Sequence, residues 1–228
     1  MSGKLYVVAT PIGNLEDLTL RALRVLKEAR LIAAEDTRHT GLLLKHFAIT
    51  TPQVSYHKFN EAQRLGEFTR RLADGENIAL VSDAGMPGVS DPGERLIREC
   101  LARGIAVEVI PGPSAVLHAL VASGLKITPF YFGGFLPVKG GARRKELAAA
   151  GARASTSIYF ESPYRIMRTL EDCAAVLPDA LVCVARELTK KFEEVKRGKP
   201  AEVLQYFRGE GQARGEITFL VQGGNEGH

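Results

Sequence analysis

Short apolar runs alternate with amphipathic stretches through the first half of the chain. Residues 5–9, 31–34, 77–81 and 107–110 have the length of buried strands, and residues 53–56 read as extended. Between these runs, Leu20, Leu23 and Leu26 recur at helical spacing within residues 17–30, with Asp17 placed to cap the first turn. Helices are also expected over residues 37–47 and 61–73, and over a segment ending near Arg103 whose first turn suits Pro92. Strands alternating with helices predict a mostly parallel sheet covered on both faces.

The second half has a different rhythm. Residues 127–141 read as a strand leaving a domain junction and then a loop containing Gly133 and Gly134. Strands are expected at 156–160, 181–185, 192–197 and 216–222, and helices at 143–150, 163–175 and near 201–207. Strands this close together imply a mixed sheet with hairpins. The change in rhythm falls near residues 112–126, so the chain divides into two α/β domains, 1–116 and 117–228. With no long linker or low-complexity segment between them, the two halves are expected to pack closely.

Composition narrows the function classes only a little. The 228 residues are 45% hydrophobic and 25% charged, ordinary values for a globular protein. No apolar run approaches the roughly 20 residues that span a bilayer, and the opening Met-Ser-Gly-Lys reads as no signal peptide. Cys100, Cys173 and Cys183 form no CxxC pair, so neither a zinc site nor a disulfide framework is expected, and a reducing cytoplasm is. A net charge of +4 permits an RNA partner without demanding one.

Three turns follow predicted strands: Thr10-Pro11-Ile12-Gly13-Asn14, Ser82-Asp83-Ala84-Gly85-Met86-Pro87-Gly88 and Pro111-Gly112-Pro113-Ser114-Ala115. In an open α/β sheet, ligands bind outside the carboxyl ends of the strands, where all three turns lie. Each alone is explained by a tight βα connection; three together, one carrying an aspartate, point to a site. The chain lacks a G-x-G-x-x-G after its first strand, a P-loop, a G-x-S-x-G elbow and an H-E-x-x-H helix.

The run Leu5-Tyr6-Val7-Val8-Ala9-Thr10-Pro11-Ile12-Gly13-Asn14 and the third turn resemble the tetrapyrrole methylase superfamily, class III methyltransferases. Glu35-Asp36-Thr37-Arg38, Phe160-Glu161-Ser162-Pro163-Tyr164-Arg165 and Lys190-Lys191-Phe192-Glu193-Glu194 resemble its ribosomal RNA branch, and the likeness spans about residues 4–222. It implies a homodimer of two-domain chains with S-adenosylmethionine in the interdomain cleft, and 2′-O-methylation of a cytidine in the decoding region of 16S rRNA. Carried over by position, the cofactor contacts are Pro11, Asp83, Gly85, Met86, Ser114 and Ala115, with Phe160 and Ala185 from the second domain.

Methyl transfer from a sulfonium calls for no metal; it is chiefly a matter of alignment. A ribose hydroxyl is a weak nucleophile, so a base in reach helps. Candidates are Glu35, Asp36, His57 and Glu61, with Arg38 positioned for an RNA phosphate. The alternatives are that Glu35 and Asp36 merely favour a helix N-terminus and that Arg38 pairs with Asp36. Arg143, Arg144 and Lys145, and Lys190 and Lys191, form basic clusters for RNA, the first preceded by Tyr131, Phe132 and Phe135. Two rival readings share the fold: a methylase acting on a precorrin-like macrocycle, and a non-catalytic RNA-binding protein.

Overall fold

The computed structural model describes residues 2–223, and the chain divides into two units, Met1–Ser114 and Ala115–His228. In the first unit, strands β1 (Lys4–Val8), β2 (Leu31–Ala34), β3 (Gln53–Ser55), β4 (Ile78–Val81) and β5 (Ala106–Ile110) form one parallel sheet, ordered β3-β2-β4-β1-β5. Side chains alternate across it. Val8, Ile32, Ala34, Ala79 and Val81 face Ala22, Val25 and Leu26 of α1 (Leu20–Glu28) and Leu43 and Leu44 of α2 (Thr37–His46). Leu5, Leu31, Ala33, Ile78 and Leu80 face Phe68 and Leu72 of α3 (Glu61–Ala73) and Leu96 and Cys100 of α4 (Glu94–Ala102).

This division follows from topology. The connections that step toward the β3 edge carry α1 and α2; those that step toward the β5 edge carry α3 and α4. Crossovers of one hand must place helices of opposite direction on opposite faces. Neighbouring strands β1 and β4 therefore send their chains away in opposite directions, the switch point outside whose carboxyl ends open α/β sheets bind ligands.

Two helix starts differ from the sequence expectation. Asp17 falls in a 3-10 turn, Leu15–Asp17, and α1 is capped instead by Thr19, whose Oγ1 accepts from the Ala22 N–H at 3.1 Å. Pro92 lies ahead of α4, because Gly93, at φ 133°, occupies the cap position.

The second unit holds β6 (Phe130–Phe135), β7 (Thr156–Glu161), β8 (Leu181–Arg186), β9 (Glu194–Gly198) and β10 (Ile217–Gln222) in the order β6-β7-β10-β8-β9. Only β6 and β7 pair in parallel; the other pairings are antiparallel, so the sheet is mixed. Tyr159, Val182, Val184, Phe219 and Val221 pack against α6 (Gly140–Ala152), α7 (Ile166–Val176) and α8 (Pro200–Gly209). Gly133 and Gly134, expected in a loop, lie inside β6, where the pairing with β7 slips between Phe132 and Phe135. A Cβ on Gly133 would meet the Tyr159 ring, so the glycine lets the strand pass over it. A helix absent from the sequence reading, α5 (Ala115–Ser123), packs on β8 and β10. It is apolar nearly all round and shows no amphipathic stripe to betray it. No helix among the described residues is long and apolar enough to cross a membrane.

Candidate active site

The three turns of the first unit are locked to one another. Thr10 and Gly85 exchange backbone hydrogen bonds: the Thr10 N–H donates to the Gly85 carbonyl at 2.9 Å, and the Gly85 N–H to the Thr10 carbonyl at 3.0 Å. The Thr10 hydroxyl donates to the Ser82 carbonyl at 3.2 Å. Gly85 is left-handed, at φ 77°, a conformation that disfavours any residue with a side chain. A Cβ there would stand 3.5 Å from Ile12 Cγ2 and 3.8 Å from the Pro113 oxygen, so this turn touches both others. A Cβ on Gly112 would come within 2.9 Å of the Ala9 Cβ, which brings the third turn against the end of β1. Pro11 is buried; Met86, Ser114 and Ala115 are half-buried.

One strand further along, a second set of contacts binds β2 to β4. The Asp83 N–H donates to Glu35 Oε2 at 3.3 Å, and the Asp36 N–H donates to Asp83 Oδ1 at 3.2 Å. Each carboxylate thus holds the other's strand end, and Asp83 keeps Oδ2 for a further donor. Burial pushes the half-buried Glu35 carboxyl above its ordinary range; the Asp83 N–H opposes the rise, while the charges of Asp83 and Asp36 add to it. Glu35 also lines an open cleft of about 890 Å³, together with Lys58, Glu61, Ser90, Asp91 and Arg95.

Asp36, its neighbour, is spent differently. It caps α2, accepting from the Arg38 N–H at 2.8 Å, and its two oxygens accept from Arg38 Nε at 3.1 Å and Nη2 at 2.7 Å. The Arg38 guanidinium, followed by the Arg38 N–H, holds this carboxyl well below the usual range, so it is a poor base at neutral pH. Arg38 thus takes the ion-pair alternative, although its side chain remains 90% exposed. His57 lies near enough for its charge to act on Glu35, but its Nδ1 is buried without a partner and it does not line the cleft.

The residues expected from the second half fall on different elements. Phe160, on β7, makes edge-to-face contacts with Phe132 and Phe135, at centroid distances of 5.1 and 5.6 Å. Ala185 is fully buried on β8, paired with Thr218 on one side and Val195 on the other, so it offers a ligand no exposed side chain. Arg143 departs from its expected role. Its side chain is only 7% exposed, and it pairs with Asp172 at 2.6 Å and bonds the Val138 carbonyl, so it is not presented to RNA. Arg144 also reaches Asp172 but stays half-exposed, and Lys145 is exposed. Lys190 is bonded to Glu187 and Glu216, whereas Lys191 is exposed. Thr10 was not singled out by the sequence, because its role is to join turns 75 residues apart in the chain, at Gly85.

The model of the tetrapyrrole (corrin/porphyrin) methylases matches residues 4–204. The chain belongs to this family, whose members are S-adenosylmethionine-dependent methyltransferases. Within it, the chain is 47% identical over 222 residues to the protein named ribosomal RNA small subunit methyltransferase I from Streptococcus pyogenes serotype M1, covering 97% of this chain and 77% of that one. It is 48% identical over 224 residues to the protein of the same name from Halalkalibacterium halodurans, covering 98% of this chain and 77% of that one. Among solved structures it resembles the uroporphyrin-III C-methyl transferase of Thermus thermophilus complexed with S-adenyl homocysteine. There the TM-score is 0.67 at 20% identity, covering 96% of this chain and 97% of that one, a likeness of fold.

Proposed function

We propose that this chain transfers a methyl group from S-adenosylmethionine to the ribose 2′-hydroxyl of a cytidine in the decoding region of 16S rRNA. The observation that carries the reading is the placement of Glu35: a half-buried carboxyl of raised pKa, held by the Asp83 N–H beside the glycine turns and open to the cleft. The site fits the donor. Asp83 Oδ2 is left to accept from a hydroxyl or an ammonium group. Left-handed Gly85 presents backbone without a side chain, with Met86 following it and Pro11 and Ser114 on the flanking turns. When bound, S-adenosylmethionine supplies an electrophilic methyl group on a sulfonium.

Glu35 takes the proton from the 2′-hydroxyl as the oxygen–carbon bond forms and the carbon–sulfur bond breaks. It ends protonated, beside a methyl ether and a neutral thioether. A carboxyl of raised pKa suits this task better than Asp36, because proton transfer is most efficient when the base is not too weak. The RNA acceptor is supported by the two relatives named as ribosomal RNA methyltransferases and by the exposed cations Arg144, Lys145 and Lys191. The reaction belongs to the cytoplasm, where its acceptor is, and we take the working form to be a homodimer.

The test is transfer of labelled methyl to small ribosomal subunits from cells lacking this protein, with the modified ribose mapped by resistance to alkaline cleavage. A single 2′-O-methylcytidine in the decoding region is expected. Transfer to a precorrin macrocycle but not to subunits overturns the reading. Cofactor binding without transfer to either makes the chain a binding protein, and sedimentation of the purified chain as a monomer removes the dimer.

A further inference from the structure

The turn between β8 and β9 is built with strain. Glu187 and Thr189 both have positive φ, 50° and 65°, without being glycine. Such residues persist only where their surroundings over-determine them, and they concentrate at functional positions. The surroundings here are explicit. Glu187 Oε1 accepts from Lys190 Nζ at 2.8 Å and from the Glu216 N–H at 3.0 Å, while Lys190 Nζ also donates to Glu216 Oε2 at 2.7 Å. Burial alone would raise the Glu187 carboxyl and lower the Lys190 ammonium, but these bonds outweigh it and shift both the other way. Glu193 closes the turn by accepting from the Thr189 N–H at 2.5 Å.

What this scaffold presents is a pair of side chains that the turn itself does not use. Phe192 is 66% exposed, an unusual place for an aromatic ring in a stretch of charged residues. Beside it, Lys191 makes no ion pair or hydrogen bond among the described residues, and its Nζ stands 5.6 Å from the Phe192 ring centroid. We propose that Lys191 and Phe192 form a platform on which one unpaired base of the RNA acceptor stacks, the ring facing the base and the ammonium its phosphate. The proposal rests on the RNA reading above and adds the residue that grips the strand.

Chemistry selects this occupant. An aromatic ring next to a cation matches the two parts every nucleotide offers, a π-face and an anion. The restrained turn has its own use: a backbone already ordered around the ring has less freedom to lose on binding.

The test uses the full chain with unmethylated small subunits and three substitutions of one residue. Phe192→Ala is expected to raise KM for subunits about tenfold, the size of one lost stack, with affinity for S-adenosylmethionine by calorimetry unchanged. Phe192→Tyr, which keeps the ring, should restore KM; Phe192→Leu, apolar but without a π-face, should not. Wild-type KM in Phe192→Ala, full rescue by leucine, or a loss of oligomeric mass in Phe192→Ala by sedimentation overturns the platform, the last by making Phe192 a subunit contact. If the unsubstituted enzyme transfers nothing to subunits, the RNA reading fails and takes the platform with it. Transfer by the unsubstituted enzyme with Phe192→Ala unaffected removes the platform alone.

Discussion

The strand ends of the first sheet and the β8–β9 turn of the second each carry two adjacent residues of like charge: Glu35 and Asp36 in one, Lys190 and Lys191 in the other. In both places one member is spent on architecture alone while its neighbour also stays open to solvent, although Glu35 accepts from the Asp83 N–H as well. Asp36 caps α2 and clamps Arg38, while Glu35 faces the cleft. Lys190 ties Glu187 to Glu216, while Lys191 faces solvent. The causes differ. At the strand end, the backbone turns from strand to helix between the two acids, so the second becomes the cap. In the turn, the carboxylates of Glu187 and Glu216 draw the Lys190 ammonium inward, while Lys191 is left exposed. Neighbours in sequence are therefore poor guides to shared function wherever the backbone changes direction between them.

The comparison is broken most decisively at the acids. Glu35→Gln should lower kcat by about 10²–10⁴, the range for loss of a general base, with cofactor affinity retained. Asp36→Asn should leave kcat close to wild type with little change in thermal stability, since asparagine still caps α2 and the lost Arg38 pair is exposed. Equal losses of kcat in both would mean that the acids act as a unit. The pH dependence sharpens the same point. Because burial raises the Glu35 pKa, its carboxylate form is lost as pH falls through a value above the usual carboxylate range, roughly 4.3 for glutamate. Activity at saturating cofactor should fall along that limb, and Glu35→Gln should show only residual activity without it.

Next in size is a cation that was expected at the RNA and sits in the protein instead. Removing Arg143 leaves the half-buried Asp172 with only Arg144, at 3.0 Å, and opens a gap in α6. Arg143→Ala should destabilise by about 3 kcal/mol, toward the low end for a broken buried pair, read as a shift in the denaturation midpoint. Its affinity for subunits, measured below the melting range, should be unchanged. Weaker RNA binding by a stably folded Arg143→Ala would return this residue to the interface.

Arg143 also marks how far the sequence could be read. Strands of the first sheet were legible because each is a short apolar run between amphipathic helices, and the three turns because glycine and proline punctuate them. The parallel sheet, the mixed sheet and the family likeness all followed from local signals. What was hidden depends on partners distant in sequence. Asp172, 29 positions from Arg143, decides that the arginine is buried; Gly85 decides what Thr10 does; and the uniform apolarity of α5 conceals a helix that packs against a sheet formed later in the chain. Glu35 and Asp36 were both candidates for the base, and only the cap geometry separates them.

The smallest effect tests the second pair. Lys191→Ala removes one exposed cation, and if that cation meets a phosphate, binding to subunits should weaken modestly and the slope of log affinity against log salt should fall by about one. Lys190→Met should act otherwise. It deprives Glu187 and Glu216 of their shared donor and leaves the half-buried Glu187 with the Glu216 N–H alone, so the left-handed turn loses its restraint. The expected result is faster amide exchange through residues 187–193, with the salt slope close to wild type and KM raised through loss of order. A salt slope lowered equally by both substitutions would mean that both lysines reach phosphate, and the division of labour argued for the turn would not hold.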